Sequence, residues 1–391
     1  MKTPLKPIVC LAFPAWEGNY LKSTVQLMTE LARIGHPVLY VDYAYTWKDF
    51  VQSLRGQGFA SWKRMAGIEP RLRTISLGNG ADIHVLTLPP IFPINFLKNA
   101  TAYDFINTFN AFFIKKYILK AMKQLDIASP TVVNAFNPFL GNPLAGQLNE
   151  SKRIYYCYDD IGAATWASRH GERLETAFMK KADAVIVTSQ GLLEKKSKLN
   201  PQCVLIKNGV DYALFSKKTD ILSPIAIGKD KKIIGYLGSI DERVDYDLLE
   251  KLIAATPQYG YAFVGRVTQP AYQKRLEAFP NVILFGSQPP ATLPAWVQQF
   301  DVCLIPFVKN ELTAGIYPLK INEYLAAGKP VVASRFADLS DFETVVNIAD
   351  NDESFIEMVQ KDLSHTDIES LKSFAAQNSW TERGQQFSNL I

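Results

Sequence analysis

Histidine and cysteine are scarce, with four of each in 391 residues. His36, His84, His170 and His365 show no ligand spacing, and Cys10, Cys157, Cys203 and Cys303 lack the C-x-x-C pattern of zinc and redox sites, so no metal site is expected. Each cysteine lies in an apolar run that reads as a strand, which predicts buried free thiols. No G-x-G-x-x-G follows a strand-like run and no G-x-x-x-x-G-K-[ST] occurs, which argues against dinucleotide-dependent oxidoreductases and P-loop phosphotransferases. No window reaches the ~18 uninterrupted apolar residues of a membrane-spanning helix. The opening MKTPLKPIVCLAFPAW is broken by Pro14, followed by Glu17, and offers no small-residue cleavage site, so a cytoplasmic chain is expected. Low-complexity tracts and short-period repeats are also absent. A composition of 48% hydrophobic and 20% charged residues excludes a disordered chain.

What the chain does have is alternation. Apolar runs at Ile8 to Phe13, Val38 to Val41, Ile83 to Leu88, Thr131 to Phe136, Arg153 to Tyr158, Ala184 to Thr188 and Val204 to Ile206 are separated by helical or loop segments. The first such segment is a helix with Leu21, Val25, Met28 and Leu31 on one face. The second half repeats the scheme with strands at Lys232 to Leu237, Tyr261 to Val264, Val282 to Phe285, Val302 to Ile305 and Pro330 to Ala333. Its helices are expected at Asp245 to Ala255, Pro270 to Phe279, Leu293 to Phe300 and Leu319 to Ala327. This predicts an α/β protein of two doubly wound, Rossmann-like domains with parallel sheets, facing a central cleft. The turn Asn208-Gly209 and the polar stretch Lys217 to Asp230, with Pro224 and Gly228, have linker composition. They set the domains at 1–207, joined by a terminal helix 379–391, and 208–378.

The net charge of +4 hides an asymmetry. Residues 1–207 carry 25 Lys and Arg against 15 Asp and Glu, whereas residues 208–391 carry 17 against 23. The basic half contains NFLKNATAYDFINTFNAFFIKKYILKAMK (residues 95–123), with Phe105, Phe109 and Phe112 at helical spacing beside Lys98, Lys115, Lys116, Lys120 and Lys123. Such a segment can lie on anionic lipid. The pattern equally fits a helix that buries its aromatics on the sheet and leaves its lysines in solvent, and that is the expectation adopted. Nucleic acid is not an expected partner, since no recognised reading motif occurs.

The densest motif is TAGIYPLKINEYLAAGKPVVAS, Thr313 to Ser334. Pro318 suits a first helical turn, Lys320 and Glu323 fall three residues apart on one face, and Gly328 ends the helix. A helix N-terminus offers unpaired amides and partial positive charge to an anion, and Lys320 adds a full charge. Glu323, an acceptor only, suits a ribose diol. An ordinary amphipathic helix with a solvated Lys320–Glu323 pair is the competing reading.

This segment resembles the donor-binding region of GT-B glycosyltransferases of family 4 and its relatives, with their pattern Pro-x-[KV]-x-x-E-[YA]-[LM]-A-x-G-K-P-V-V. IKNGVD (206–211), IIGYLGS (233–239), YAFVGR (261–266) and SWTERG (379–384) are similar to further family segments in the same order. The wording GSIDERVDYDLL is closest to the teichuronic-acid and capsule branch. The resemblance implies transfer of a sugar from a nucleotide diphosphate sugar, UDP- or GDP-linked, to a glycan or lipid-linked acceptor in cell-envelope polysaccharide synthesis. It implies no metal and no cofactor, and a cytoplasmic protein, peripheral at the inner face of the membrane. Donor-side residues would be Gly238, Ser239, Arg243, Arg266, Thr313, Tyr317, Leu319, Lys320 and Glu323. Two departures stand out: Gly315 occupies a position where the family usually has Glu, and Ser239 one where it usually has Arg. Arg243, Arg266 and Lys320 are the cations left to hold the diphosphate.

In the first half, YYCYDD ends a strand with Asp159 and Asp160 side by side. Neighbours on a strand point to opposite faces, so one at most faces a ligand. The segment is similar to the catalytic-Asp strand end of GT-B glucuronosyltransferases, which implies Asp160 as general base. A turn-capping Asp is the alternative. The loop Pro14 to Asn19 holds Glu17, which would orient the acceptor or simply sit in solvent, and Gly18, which permits close backbone approach. His170 is expected to be structural. Two other functions remain open on the same fold: a sugar-nucleotide 2-epimerase or hydrolase, and a non-catalytic nucleotide binder.

Overall fold

The computed structural model describes residues 5–18, 22–57, 60–162, 167, 169–219, 225–227, 231–361 and 367–391. Asn19, Leu21, His365 and the linker residues 220–224 and 228–230, with Pro224 and Gly228, lie outside the described residues. The chain forms two compact units, Met1–Lys207 with Arg383–Ile391, and Asn208–Glu382.

Unit 1 holds β1 (Ile8–Ala12), β2 (Val38–Val41), β3 (Leu72–Ser76), β4 (Asp82–Leu86), β5 (Thr131–Ala135), β6 (Lys152–Cys157), β7 (Ala184–Val187) and β8 (Cys203–Leu205). They pair in the order β3-β4-β2-β1-β5-β6-β7-β8, all parallel except β3 with β4. Strands β1, β2 and β5 are buried along their whole length, which explains their unbroken apolar runs. The first four helices, in chain order, are α1 (Ser23–Ile34), α2 (Trp47–Leu54), α3 (Trp62–Ala66) and α4 (Ala100–Gln124). Val9, Leu11, Leu39 and Val41 of the sheet pack on Ala111, Ile114, Ile118 and Ala121 of α4. Each buried valine, leucine or isoleucine among them stabilises by roughly 1.5–3 kcal/mol.

Helix α4 overturns the expectation for its aromatics. Phe105, Phe109 and Phe112 are 76%, 55% and 59% exposed, while Asn107 and Asn110 are buried. The reason is register: the face set by Ala111, Ile114 and Ile118 includes the two asparagines and turns the phenylalanines outward. Asn107 donates to the Phe139 carbonyl at 2.7 Å, and Asn110 bonds the Phe92 backbone in both directions, so their burial is satisfied. The lysines share the exposed side with the rings, and Lys116 lies 4.9 Å from the Phe112 ring centre. No helix among the described residues is long and apolar enough to cross a membrane.

Unit 2 holds β9 (Ile233–Leu237), β10 (Gly260–Val264), β11 (Val282–Leu284), β12 (Val302–Ile305), β13 (Val331–Ser334) and β14 (Asn347–Ala349) in a parallel sheet ordered β11-β10-β9-β12-β13-β14. The described part of the polar stretch after Lys217 is not a free linker. Thr219 and Ile225 donate backbone hydrogen bonds to Gln298 and Gln299, and Ile227 is buried. All four cysteines are free thiols. Cys10, Cys157 and Cys303 are buried, but Cys203, on edge strand β8, is only partly so.

Candidate functional site

Strand order reverses direction between β9 and β12 in unit 2 and between β1 and β5 in unit 1, and the carboxyl ends beside such reversals form the ligand crevices of doubly wound sheets. In unit 2 the loops after β9, β10 and β12 are stitched together by backbone bonds. Gly238 donates to Val264, Ile240 to Arg266 and Val308 to Arg243. Gly265 has φ +157, and a Cβ there would stand 1.7 Å from the Gly238 carbonyl oxygen, so only glycine allows the β9 and β10 turns to meet. The helix Leu319–Ala326 joins the same edge through Tyr324, whose buried hydroxyl accepts from the Leu237 amide at 2.7 Å.

The expected donor residues divide into two groups. Gly238, Ser239, Arg243, Arg266, Leu319, Lys320 and Glu323 lie on this edge, on the turns after β9 and β10 or at the start of the helix. Arg266 is exposed and makes no ion pair among the described residues. Arg243 is bound by Asp241 through Nε at 2.8 Å and Nη2 at 2.6 Å, and its guanidinium lies 5.6 Å from the Phe307 ring centre. Thr313 and Tyr317, by contrast, serve the scaffold. Thr313 is fully buried, its hydroxyl donating to the Val308 carbonyl at 2.6 Å within an Asn310–Thr313 capping box. Tyr317 packs on Phe342 and accepts from Asn322.

Lys320 and Glu323 do not stand apart for two different ligand groups. Lys320 Nζ donates to Glu323 Oε2 at 2.8 Å. Nor are they a solvated pair, since Glu323 is 1% exposed while Lys320 reaches toward water. A buried carboxylate requires a partner, and the neighbour one turn back supplies it. Gly315 is buried with an ordinary φ of −84°, so its backbone does not demand glycine.

In unit 1 the loop after β1 is fixed from every side. Tyr40 donates to the Pro14 carbonyl at 2.6 Å, the Trp16 amide donates to Asp42 at 2.8 Å, and Lys22 donates to the Ala15 and Glu17 carbonyls. Glu17 is not a free loop carboxylate: Arg73 and Arg64 hold it at 2.7 and 3.1 Å, although its side chain remains 38% exposed. Burial pushes the Asp42 carboxyl above its ordinary pKa, although the Trp16 and Tyr43 amides oppose this. Gly18, with φ +151, borders a recess of about 290 Å³ that Glu17, Tyr43, Tyr45 and Asp49 also line.

Across the reversal, Phe136 at the end of β5 has φ +54, a left-handed conformation that costs a side-chain-bearing residue about 1–2 kcal/mol. Such strain gathers at functional edges, and nothing in the local sequence signals it. One strand further, Asp160 is buried. Its Oδ2 accepts from Lys195 at 2.8 Å, Lys196 lies 3.5 Å from Oδ1, and Oδ1 also accepts from the Gly162 amide, as a turn-capping Asp would. Burial raises its pKa, but the Lys195 hydrogen bond and the charges of Lys196 and Lys195 outweigh that and leave it below the ordinary value. Lys196 also bonds the buried Glu175 at 2.6 Å. His170 Nε2 faces the Leu97 carbonyl and its ring lies on Tyr103, a structural placement. Among the described residues no group of three His, Cys, Asp or Glu is arranged to hold a metal ion.

Residues 231–364 match the family model described as Glycosyl transferases group 1. TuaH of Bacillus subtilis (strain 168), assigned by name to teichuronic acid biosynthesis as a glycosyltransferase, is 26% identical over 250 residues. That match takes in 58% of this chain and 63% of TuaH, less than two thirds of the relative. Among solved structures, sucrose-phosphate synthase from Thermosynechococcus elongatus superposes with a TM-score of 0.68 at 18% identity over 98% of both chains. Anabaena HepE, solved in complex with UDP and glucose, superposes with a TM-score of 0.65 at 13% identity over 98% of this chain and 99% of its own. The chain thus has the GT-B fold.

Proposed function

From the premise of a GT-B chain that carries a glycosyl transferases group 1 domain, we propose a glycosyltransferase of cell-envelope polysaccharide synthesis. It moves a sugar from a nucleotide diphosphate sugar to a glycan or lipid-linked acceptor. The observation that carries this reading is the unit 2 edge. Arg243, Arg266, Lys320 and the N-terminus of the helix Leu319–Ala326 lie on turns flanking the strand reversal, inside the segment that matches the family model. Cations and helix amides stabilise a departing diphosphate electrostatically, without requiring a metal ion. A bound diphosphate draws Lys320 away from Glu323, which frees that carboxylate for a ribose diol. HepE was solved with UDP and glucose, which makes UDP-glucose the first donor to try.

Asp160 is the carboxylate proposed to take the acceptor proton. Its lysine partners keep it ionised, as a base requires, although they also weaken it. The +10 surplus of residues 1–207 and the outward phenylalanines of α4 support a protein that works in the cytoplasm against the anionic inner face of the membrane. The test is release of nucleoside diphosphate from a panel of UDP- and GDP-sugars with and without acceptor glycans. Acceptor-dependent release supports transfer. Acceptor-independent turnover points to an epimerase or hydrolase, and binding without turnover to a nucleotide-binding protein. Asp160→Asn is expected to lower kcat about 100-fold or more; near-normal kcat removes Asp160 from the chemistry.

A further inference from the structure

Beside α4 lies a second cavity, lined by none of the residues assigned above to the transfer reaction. It measures about 550 Å³, within the roughly 300–1,000 Å³ of small-molecule sites, and its walls are mostly apolar, among them Trp47, Phe50, Ile91, Phe92, Phe109 and Phe113. Asn110 fixes the Phe92 backbone, and the Phe92 ring meets Phe109 at 6.1 Å, so the rim is built. Arg71 and Tyr117 line both this cavity and an adjoining polar recess of about 370 Å³ that also contains Lys120.

Arg71 is held for a purpose that the fold itself does not exhaust. Its Nη2 donates to the Met65 carbonyl at 2.7 Å and its guanidinium lies 5.1 Å from the Tyr117 ring centre. On a third side stands Gly67, φ +82, where a Cβ would come within 2.7 Å of Nη1. Yet Nε is buried without a hydrogen-bond partner, and Arg71 meets no carboxylate among the described residues. Glu69, in the same recess, is engaged by Arg64. Residues 47–123 carry eleven Lys and Arg against four Asp and Glu, so the whole surface favours an anion.

We propose that unit 1 binds one molecule of an anionic membrane lipid, with a hydrocarbon chain in the apolar cavity and its phosphate on Arg71 and Lys120. The exposed Phe105, Phe109 and Phe112 on the same helix would bring this pocket to the bilayer. The inference rests on the membrane contact proposed above for its source of lipid, but not on the transfer reaction.

Dodecyl phosphate below its micelle concentration is the probe, titrated calorimetrically into the full chain. One saturable site per chain is expected, with decyl phosphate about tenfold weaker for its two missing methylenes. Ala66→Trp, which fills the cavity from its exposed edge, should weaken binding at least about tenfold, and Lys120→Gln should weaken the phosphate probe but not dodecyl maltoside. Arg71→Gln should act like Lys120→Gln but more strongly, with thermal melts to confirm folding. No saturable site, no chain-length dependence, or equal binding to Ala66→Trp overturns the proposal, as does displacement by inorganic phosphate alone. Vesicles of anionic phospholipid separate the two readings. If dodecyl phosphate binds but vesicles do not, the membrane contact fails and the lipid pocket stands.

Discussion

Helix α4 and the helix Leu319–Ala326 both break the rule that apolar groups go inside and charged groups outside, but in opposite senses. Helix α4 turns phenylalanines to solvent and hides two asparagines against backbone groups. The helix Leu319–Ala326 hides a carboxylate, and the lysine one turn back is its partner. Each inversion costs stability that packing alone would not demand, so each marks a surface kept for something else. The first suits an apolar, anionic surface; the second suits a polar ligand able to exchange partners with an ion pair that already exists.

Breaking the buried pair is the severest test of this contrast. Glu323→Ala is expected to lower kcat/KM about 100-fold while leaving a folded protein, read by donor titration and thermal melts. Undiminished activity would make the pair purely structural. Next in size is Lys195→Met, which asks whether Asp160 is a second carboxylate of the same kind. Without Lys195 the Asp160 pKa rises, so the acid limb of the kcat–pH profile should move to higher pH. Because its folded pKa lies below the unfolded value, Asp160 contributes stability above about pH 4 that is lost as pH falls through the folded pKa, and Lys195→Met should shrink that contribution. An unmoved acid limb would show that Asp160 does not set it.

On the α4 side, the double change Phe105→Ser with Phe112→Ser should reduce binding to anionic vesicles about tenfold and shift the unfolding free energy by less than about 0.5 kcal/mol, since both rings are exposed. A large loss of stability would mean that these rings pack in solution. The smallest effect is expected at Asp42. Its folded pKa lies above the unfolded one, so its ionisation costs stability that returns as pH falls through the folded value. Asp42→Asn can keep both bonds from the Trp16 and Tyr43 amides. It should stabilise the fold at pH 7 and lose that advantage as pH falls toward 3, measured by urea denaturation.

The strands of both sheets were legible because central parallel strands are buried on both faces and read as unbroken apolar runs. The two that escaped, β3 and β14, are edge strands. In β3 the run LRTIS is half exposed and pairs antiparallel, so neither signal is present. In α4 the phenylalanine spacing was correctly helical, but periodicity gives a stripe and not its direction; the bonds that bury Asn107 and Asn110 come from residues 32 and 18 positions away. The donor-side residues show the same limit. That Lys320 and Glu323 share a face follows from a spacing of three, whereas the burial of Thr313 depends on the fold of its loop. The clamp on Glu17 comes from residues 47 and 56 positions downstream, which no local pattern can announce.

The return of Arg383–Ile391 to unit 1 sets an order of events at the ribosome. His36 meets Ser388 at 2.8 Å, Lys152 donates to the Leu390 carbonyl at 2.6 Å, and Tyr156 packs on Phe387, so this segment closes unit 1 around α1 and β6. Unit 2 is one uninterrupted stretch and can complete its sheet as soon as it emerges. Unit 1 begins synthesis first yet waits through all 175 residues of Asn208–Glu382 for its final piece. During that interval an incomplete, basic and aromatic-rich domain is exposed to the cell, the condition under which nascent chains most need protection from aggregation.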